Sequence, residues 1–117
     1  MEKVIINGIT YVPENETKTA IKNDMRFCII RTYSAGVHIG YLAEKNGREV
    51  KLLDSRRLWK WAGAFTLSEM SRVGVRKPEE CRFSCVIPEI TLTEAIEIIP
   101  CTELAMKSLM EVKTYEC

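Results

Sequence analysis

The chain has no long apolar run and almost no net charge, and each absence excludes a class of protein. Its longest strictly apolar runs, such as residues 27–30 (Phe-Cys-Ile-Ile), are far shorter than the roughly 18 residues of a membrane-spanning helix. The formal net charge over 117 residues is +1, whereas a general nucleic-acid binder depends on a strong basic excess. We therefore expect neither a membrane span nor general nucleic-acid binding.

Catalytic signatures are also missing. The single histidine, His38, lies in an alternating stretch at residues 36–40, where a half-exposed strand residue is a better interpretation than a catalytic base. The chain contains no Gly-x-Ser-x-Gly elbow, Walker loop, His-Glu-x-x-His motif or dinucleotide fingerprint. These absences predict a protein that is not an enzyme and that needs no cofactor.

The cysteines predict neither a disulfide framework nor a metal site. The first eight residues turn polar too early for a secretory signal peptide, so we expect a cytoplasmic protein whose five thiols are reduced and partly buried. Cys81 and Cys85 form the one close pair. In a strand their sulfur atoms would start roughly 13 Å apart, too far to share a zinc ion.

Composition and alternation predict a sheet-rich α+β fold in a single domain covering residues 1–117. Hydrophobic residues make up 46% of the chain and charged residues 28%, as in ordinary globular proteins. The pair Asn7-Gly8 between apolar runs predicts a hairpin within residues 1–13. Alternation from Arg26 onward, with a second Asn-Gly pair at residues 46–47, predicts a three-stranded antiparallel meander.

The second half of the chain predicts two further strands and two or three short helices in all. Residues 54–65 match no secondary-structure template and are left open. The predicted elements are a helix that begins in a Thr66–Glu69 capping box and ends at Gly74, strands at residues 82–87 and 90–99, and a helix from Glu103 to about Val112 capped by Thr102.

Positive charge is concentrated in the middle of the chain. Basic and acidic residues balance in residues 1–44, the net charge is +5 in residues 45–82, and it is −4 in residues 83–117. One interpretation is a solvated basic face that complements the acidic C-terminal third. The other is a local anion site on a neutral body, which suits a small phosphate-bearing ligand.

The segment at residues 56–61 (Arg-Arg-Leu-Trp-Lys-Trp) holds both tryptophans and three cations. In an extended segment Arg57, Trp59 and Trp61 line one face, and Arg56 shares a face with Lys60. Guanidinium groups bind phosphate and indole rings stack on bases, so this segment is a candidate nucleotide site. The alternative is structural, with the tryptophans anchored in a core or an interface and the arginines covering their edges.

A second candidate anion site lies at Arg31, Tyr33 and Ser34, which precede Gly36. A turn that offers backbone amides and a hydroxyl beside an arginine can form an anion-binding concavity. The same residues also suit an ordinary hairpin turn, in which hydroxyl groups bond only to the local backbone.

Three motifs resemble those of a family of short, uncharacterised phage and prophage proteins. They are residues 31–37 (Arg-Thr-Tyr-Ser-Ala-Gly-Val), 56–64 (Arg-Arg-Leu-Trp-Lys-Trp-Ala-Gly-Ala) and 96–102 (Ile-Glu-Ile-Ile-Pro-Cys-Thr). The resemblance covers residues 26–113 and implies a phage accessory protein in the host bacterial cytoplasm. Small phage proteins of this kind are often anti-defence proteins, and some are homo-oligomeric sponges that sequester cyclic nucleotide signals. The alternative function is a protein–protein inhibitor or a phage structural accessory.

Overall fold

The structure is a computed structural model that describes residues 18–117 together with the strand backbone of residues 4–6 and 9–11. Its strands, in chain order, are β1 (Val4–Ile6), β2 (Ile9–Tyr11), β3 (Ile21–Lys22), β4 (Met25–Thr32), β5 (Val37–Asn46), β6 (Glu49–Lys60), β7 (Arg82–Phe83), β8 (Ile87–Leu92) and β9 (Ala95–Pro100). Within these described residues the helices are α1 (Leu67–Val73), α2 (Glu103–Glu111) and a 3-10 turn at Pro78–Glu80.

At the N-terminus, β1 and β2 form a separate two-stranded antiparallel sheet. Ile6 lies opposite Ile9, and Val4 lies opposite Tyr11. The Asn7-Gly8 turn predicted between them lies outside the described residues.

The main sheet is antiparallel and curls into a half-barrel. Its path is β3-β4-β5-β6-β7, with β8 paired to β6 and β9 paired to β4. The consecutive strands β8 and β9 therefore bind to opposite sides of the β4–β5–β6 unit. The prediction of a sheet-rich α+β fold is confirmed. The finer prediction of a meander is not confirmed, and β8 and β9 add long-range pairings to β6 and β4.

The predicted strand at residues 90–99 is wrong, because the structure divides this segment into β8 and β9 at Thr93 and Glu94. The Glu94 carbonyl accepts a hydrogen bond from Tyr33 N at 3.0 Å, and Ala95 N donates to Arg48 O at 3.0 Å. These contacts redirect the chain from one side of the sheet to the other. Alternation along one segment cannot show this change, since it depends on which distant strand each half pairs with.

A bulge in β6 bends the sheet. Ile39 pairs with Arg56 and Tyr41 pairs with Leu53, so Asp54 and Ser55 together lie opposite one residue, Gly40. A bulge of this kind bends its strand and increases the local twist. Glycine on the opposite strand avoids a tight contact, because a Cβ atom at residue 40 would lie 3.1 Å from Leu53 O. The bend allows the outer half of the β5–β6 hairpin to curl over the sheet.

The half-barrel buries both faces of β4. Phe27 and Ile29 pack into a cluster with side chains of both α-helices, including Met70 and Leu109. The alternate residues, such as Ile30, face a second cluster formed with the curled part of β6 and with β8. The alternation predicted for this strand therefore separates two cores.

Side-chain caps define both helix N-termini as predicted. Thr66 Oγ1 accepts a hydrogen bond from Glu69 N at 3.0 Å, and Thr102 Oγ1 accepts one from Ala105 N at 3.1 Å. Gly74 ends α1 with a φ of 76°, and its N–H donates to Met70 O. These interactions join residues within five positions of each other, which is why local sequence identified them.

Gly74→Ala is expected to lower the free energy of unfolding by about 2 kcal/mol, through positive-φ strain and overpacking. An added Cβ atom would overlap the Ser108 side chain on α2. Urea denaturation measures the loss. Gly36→Ala is the matched control, because Gly36 has a φ of +84° and no atom within 4 Å of a Cβ atom. Equal losses in the two variants would show that contact with α2 contributes nothing.

Candidate functional site

Strand β6 places successive side chains on opposite faces of the sheet beyond the bulge. Arg56 and Leu58 are buried, whereas Arg57 and Trp59 are exposed. The segment left open by the sequence is therefore extended as far as Lys60, where β6 ends. Arg57 and Trp59 share one face, as expected for an extended segment.

A cavity of about 230 Å³ lies against this face of β6. Its polar and aromatic lining consists of His38, Ser55, Arg57, Trp59 and Ser84. Ile87, Ile90 and the Cys85–Cys117 disulfide complete the wall. The cavity therefore brings a cation, an indole ring and two hydroxyl groups together on an apolar wall.

Arg57 has a fixed backbone and an uncommitted guanidinium group. Its N–H donates to Ser84 Oγ at 2.7 Å, and its carbonyl accepts from Ser84 N at 2.9 Å. Over the described part of the chain no carboxylate lies within ion-pair distance of Arg57. Its donors are therefore free to form paired hydrogen bonds with an anion such as phosphate.

Trp59 supplies an aromatic surface at the mouth of the cavity. Its side chain is 47% exposed, and one edge contacts Tyr115, with ring centroids 6.3 Å apart. A half-exposed indole held by a neighbouring ring can stack on a planar ligand.

His38 and Ser55 form the buried floor of the cavity. His38 was expected to be half-exposed, but it is 1% exposed, and it shares the cavity lining with Ile87 and Ile90 of β8. His38 Nε2 lies 2.9 Å from Ala35 O, so in the neutral ring Nε2 carries the proton and Nδ1 is an acceptor. Ser55 Oγ is buried without a hydrogen-bond partner among the described residues. An unpartnered buried hydroxyl is costly, and a bound ligand would satisfy it.

The free energy of unfolding is expected to fall as the pH drops below about 6.5, the ordinary pKa of histidine. Burial lowers the pKa of His38; the hydrogen bond to Ala35 opposes this shift, and the Arg57 cation adds to it. Below pH 6.5 the unfolded chain therefore binds a proton more readily than the folded chain. The free energy of unfolding then falls by at most about 1.4 kcal/mol for each unit by which the pH drops. Urea titrations between pH 7.5 and 5.5 measure the slope. His38→Gln should lose it, and an unchanged slope in that variant would assign the effect to other groups.

Arg56, predicted to bind phosphate beside Arg57, lies on the opposite face and is 2% exposed. Its Nε donates to Ser84 O at 2.8 Å, and its NH1 donates to Leu109 O at 2.9 Å. The guanidinium group also lies 5.3 Å from the centroid of the Phe83 ring. Arg56 therefore caps the C-terminus of α2, where backbone carbonyls lack helical partners and favour a cation, and it is not available to a ligand.

Trp61 is also absent from the cavity lining. It is partly buried and packs against the core cluster that contains the helices. The pairing between β6 and β7 is irregular at Leu58 and Lys60, and the strand ends there, so the strict alternation assumed for Trp61 does not reach it.

The structure places Arg31 and Ser34 beside carboxylates. Arg31 Nε lies 3.1 Å from a carboxylate oxygen of Glu97, and Ser34 Oγ donates to Glu94 at 3.3 Å. Tyr33 is 79% exposed. The carboxylates of Glu97 and Glu94 bind Arg31 Nε and Ser34 Oγ and disfavour an anion there, because the turn that separates β8 from β9 brings Glu94 beside Ser34.

The expectation of five reduced thiols is corrected by the Cys85–Cys117 disulfide. The two cysteines are 32 residues apart, so the pairing is a tertiary contact that spacing does not reveal. Cys28, Cys81 and Cys101 are free and buried. Burial raises the pKa of Cys28 to about 11 and that of Cys101 to about 12, so both thiols stay protonated at neutral pH.

Sequence reasoning missed Ser55 and Ser84 as lining residues. Ser55 precedes Arg57 and Trp59 at spacings of two and four, so period-two alternation would have included it. No local signal identifies Ser84, because it reaches the cavity through the pairing of residues 82–83 with the end of β6.

These features define a small half-barrel with a polar and aromatic cavity against one strand. Residues 25–109 match the DUF6948 family, described as a domain of unknown function, and the chain belongs to this family. No curated protein and no solved structure matches the chain. No helix among the described residues is both long and apolar enough to cross a membrane.

Proposed function

We propose that this protein is a non-catalytic binding protein that captures a small anionic nucleotide in the cavity beside β6. The observation that supports this most directly is that Arg57, with no carboxylate partner in the described chain, shares a wall with the half-exposed ring of Trp59. Arg57 would bind phosphate and Trp59 would stack on the base. The unpartnered hydroxyl of Ser55 would bond to a polar group of the ligand that enters the cavity.

The cavity is too small to enclose a whole nucleotide, and this supports a binding site that a second subunit completes. At about 230 Å³ it is smaller than the roughly 300–1,000 Å³ of pockets that enclose whole drug-sized ligands. It therefore accommodates one ring or one phosphate group and leaves the rest of a nucleotide outside. A homo-oligomer in which two copies face each other would enclose that remainder.

The biological role that we propose is sequestration of a nucleotide signal, including cyclic nucleotides of bacterial immunity, by a phage-encoded anti-defence protein. This role rests on the resemblance of its three motifs to phage and prophage proteins. Sequestration requires tight binding and no turnover.

Isothermal titration of the purified protein against GMP, AMP, UMP and the cyclic dinucleotides of guanine and adenine tests the proposal. Binding of at least one nucleotide, with the nucleotide recovered unchanged by mass spectrometry afterwards, is the expected result. Absence of heat with every nucleotide would overturn the binding proposal, and appearance of a product would overturn its non-catalytic part. Sedimentation with and without ligand measures whether a second subunit is required.

The second candidate is a protein–protein interaction module, favoured by the exposed aromatic ring of Phe65. This side chain is 93% exposed in the loop before α1, and exposed aromatic rings are frequent anchors of interfaces. Phe65→Ser is expected to abolish association with a protein partner without changing nucleotide binding. Unchanged association in that variant would remove this candidate.

A further inference from the structure

We propose that the cavity is the first of two adjacent nucleotide subsites, and that Tyr115, Arg82 and the carboxylates Glu79 and Glu111 form the second. The ligand would then contain two bases joined through phosphate, and at least one base would carry amino donors. This inference rests on the proposed function, which assigns the first base to Trp59.

The two aromatic rings cannot stack on the same base. The rings of Trp59 and Tyr115 are 6.3 Å apart and their planes meet at 78°. A planar base that lies parallel to one ring is nearly perpendicular to the other. Since Tyr115 is itself 55% exposed, each ring presents a surface for a separate base.

Cations lie where the linking phosphate would pass. The Arg82 guanidinium group is 4.8 Å from the centroid of the Tyr115 ring, and Arg82 pairs with Lys60 across β6 and β7. Both side chains are exposed, and neither forms an ion pair within residues 18–117. Arg57 beside Trp59 and Arg82 over the Tyr115 ring place one uncompensated positive charge next to each ring, which favours a phosphate between them.

A second cavity, of about 440 Å³, is lined in part by Tyr115. Its lining includes the carboxylates of Glu79 and Glu111 and one cation, Lys113, so the net charge of the lining is negative and disfavours a phosphate that enters it. Carboxylates accept hydrogen bonds from amino groups of bases, and the adjacent N1–H and 2-amino group of guanine suit one carboxylate. This cavity therefore suits a base with amino donors, whereas phosphate stays with Arg82.

Tyr115 is held in place before a ligand binds. Its N–H donates to Phe83 O at 2.9 Å, Thr114 forms a parallel bridge with Phe83, and the Cys85–Cys117 disulfide ties down the residues that follow. A fixed ring loses little conformational entropy on binding. The disulfide thereby links the wall of the first cavity to the ring of the second subsite.

The test compares GMP, the linear dinucleotide pGpG and the dinucleotide pUpU by isothermal titration of the full chain under non-reducing conditions. We expect pGpG to bind about 10-fold more tightly than GMP, because it adds one stacked base, and more tightly than pUpU. Arg82→Gln should remove the advantage of pGpG and leave GMP affinity within about twofold. Tyr115→Ala also removes the ring that contacts Trp59, so for that variant the expected result is loss of the pGpG-to-GMP affinity ratio. Arg82→Gln changes an exposed side chain, so it remains informative if Tyr115→Ala does not fold.

The outcomes separate this inference from the proposed function. If GMP binds and pGpG binds no better, or if neither variant changes the ratio, the second subsite is overturned and the first cavity stands. If pUpU binds as tightly as pGpG, the assignment of Glu79 and Glu111 is overturned. If GMP, pGpG and pUpU all fail to bind and the wider nucleotide panel fails as well, the proposed function itself is overturned.

Discussion

Arg56→Met is expected to lower the free energy of unfolding by about 3–4 kcal/mol. The variant leaves two buried carbonyl oxygens without their charged hydrogen-bond donor, and together these losses destabilise the fold by about that much. The Arg56 guanidinium group donates to Ser84 O and Leu109 O, and methionine fills the space without replacing either hydrogen bond. Burial lowers the pKa of Arg56, but an arginine stays charged in proteins. Urea denaturation monitored by tryptophan fluorescence measures the loss.

Two further variants keep this prediction testable. Arg56→Lys retains the positive charge but cannot bond to both carbonyl oxygens, so we expect an intermediate loss of free energy of unfolding. This variant replaces Arg56→Met in the test if Arg56→Met does not fold. Arg57→Met, one residue along the strand, removes an exposed side chain and should change stability by no more than about 0.5 kcal/mol. A loss below about 1 kcal/mol in Arg56→Met would show that Arg56 does not hold α2 on the sheet.

Arg57→Met is expected to weaken GMP binding at least 100-fold, which corresponds to about 2.7 kcal/mol. The variant removes charge-assisted hydrogen bonds to phosphate in a partly enclosed site, each contributing about 1.5–3 kcal/mol. Trp59→Ala should weaken binding by about 10-fold or more through loss of base stacking. Isothermal titration of variants with unchanged unfolding midpoints measures both effects.

Arg31→Met is the matched control for that prediction. Arg31 is also an exposed arginine on a strand of the main sheet, but its Nε is 3.1 Å from Glu97. We expect GMP affinity within about twofold of the original chain. Full retention of binding in Arg57→Met, or a large loss in Arg31→Met, would move the anion site away from the cavity.

Within the candidate site, sequence reasoning identified the segment but not which of its residues share the cavity. The cluster of cations and tryptophans at residues 56–61 was visible because spacing and residue type are local. Arg57 and Trp59 line the cavity, whereas Arg56 and Trp61 pack into the main core. Strand alternation places residues 56 and 57 on opposite faces, but it does not show which face a helix will cover. The covered face depends on the packing of α2, which begins more than 40 residues later in the chain.

The sequence by itself determined the local structure of this chain. The caps at Thr66 and Thr102, the end of α1 at Gly74 and the alternation of β4 all follow from interactions within a few residues, which adjacent side chains and backbone groups decide alone. Only the tertiary structure decided the half-barrel, the division of residues 90–99 and the pairing of Cys85 with Cys117. Each of these joins segments far apart in the chain, and their energies depend on which surfaces meet once the bulge opposite Gly40 has bent the sheet.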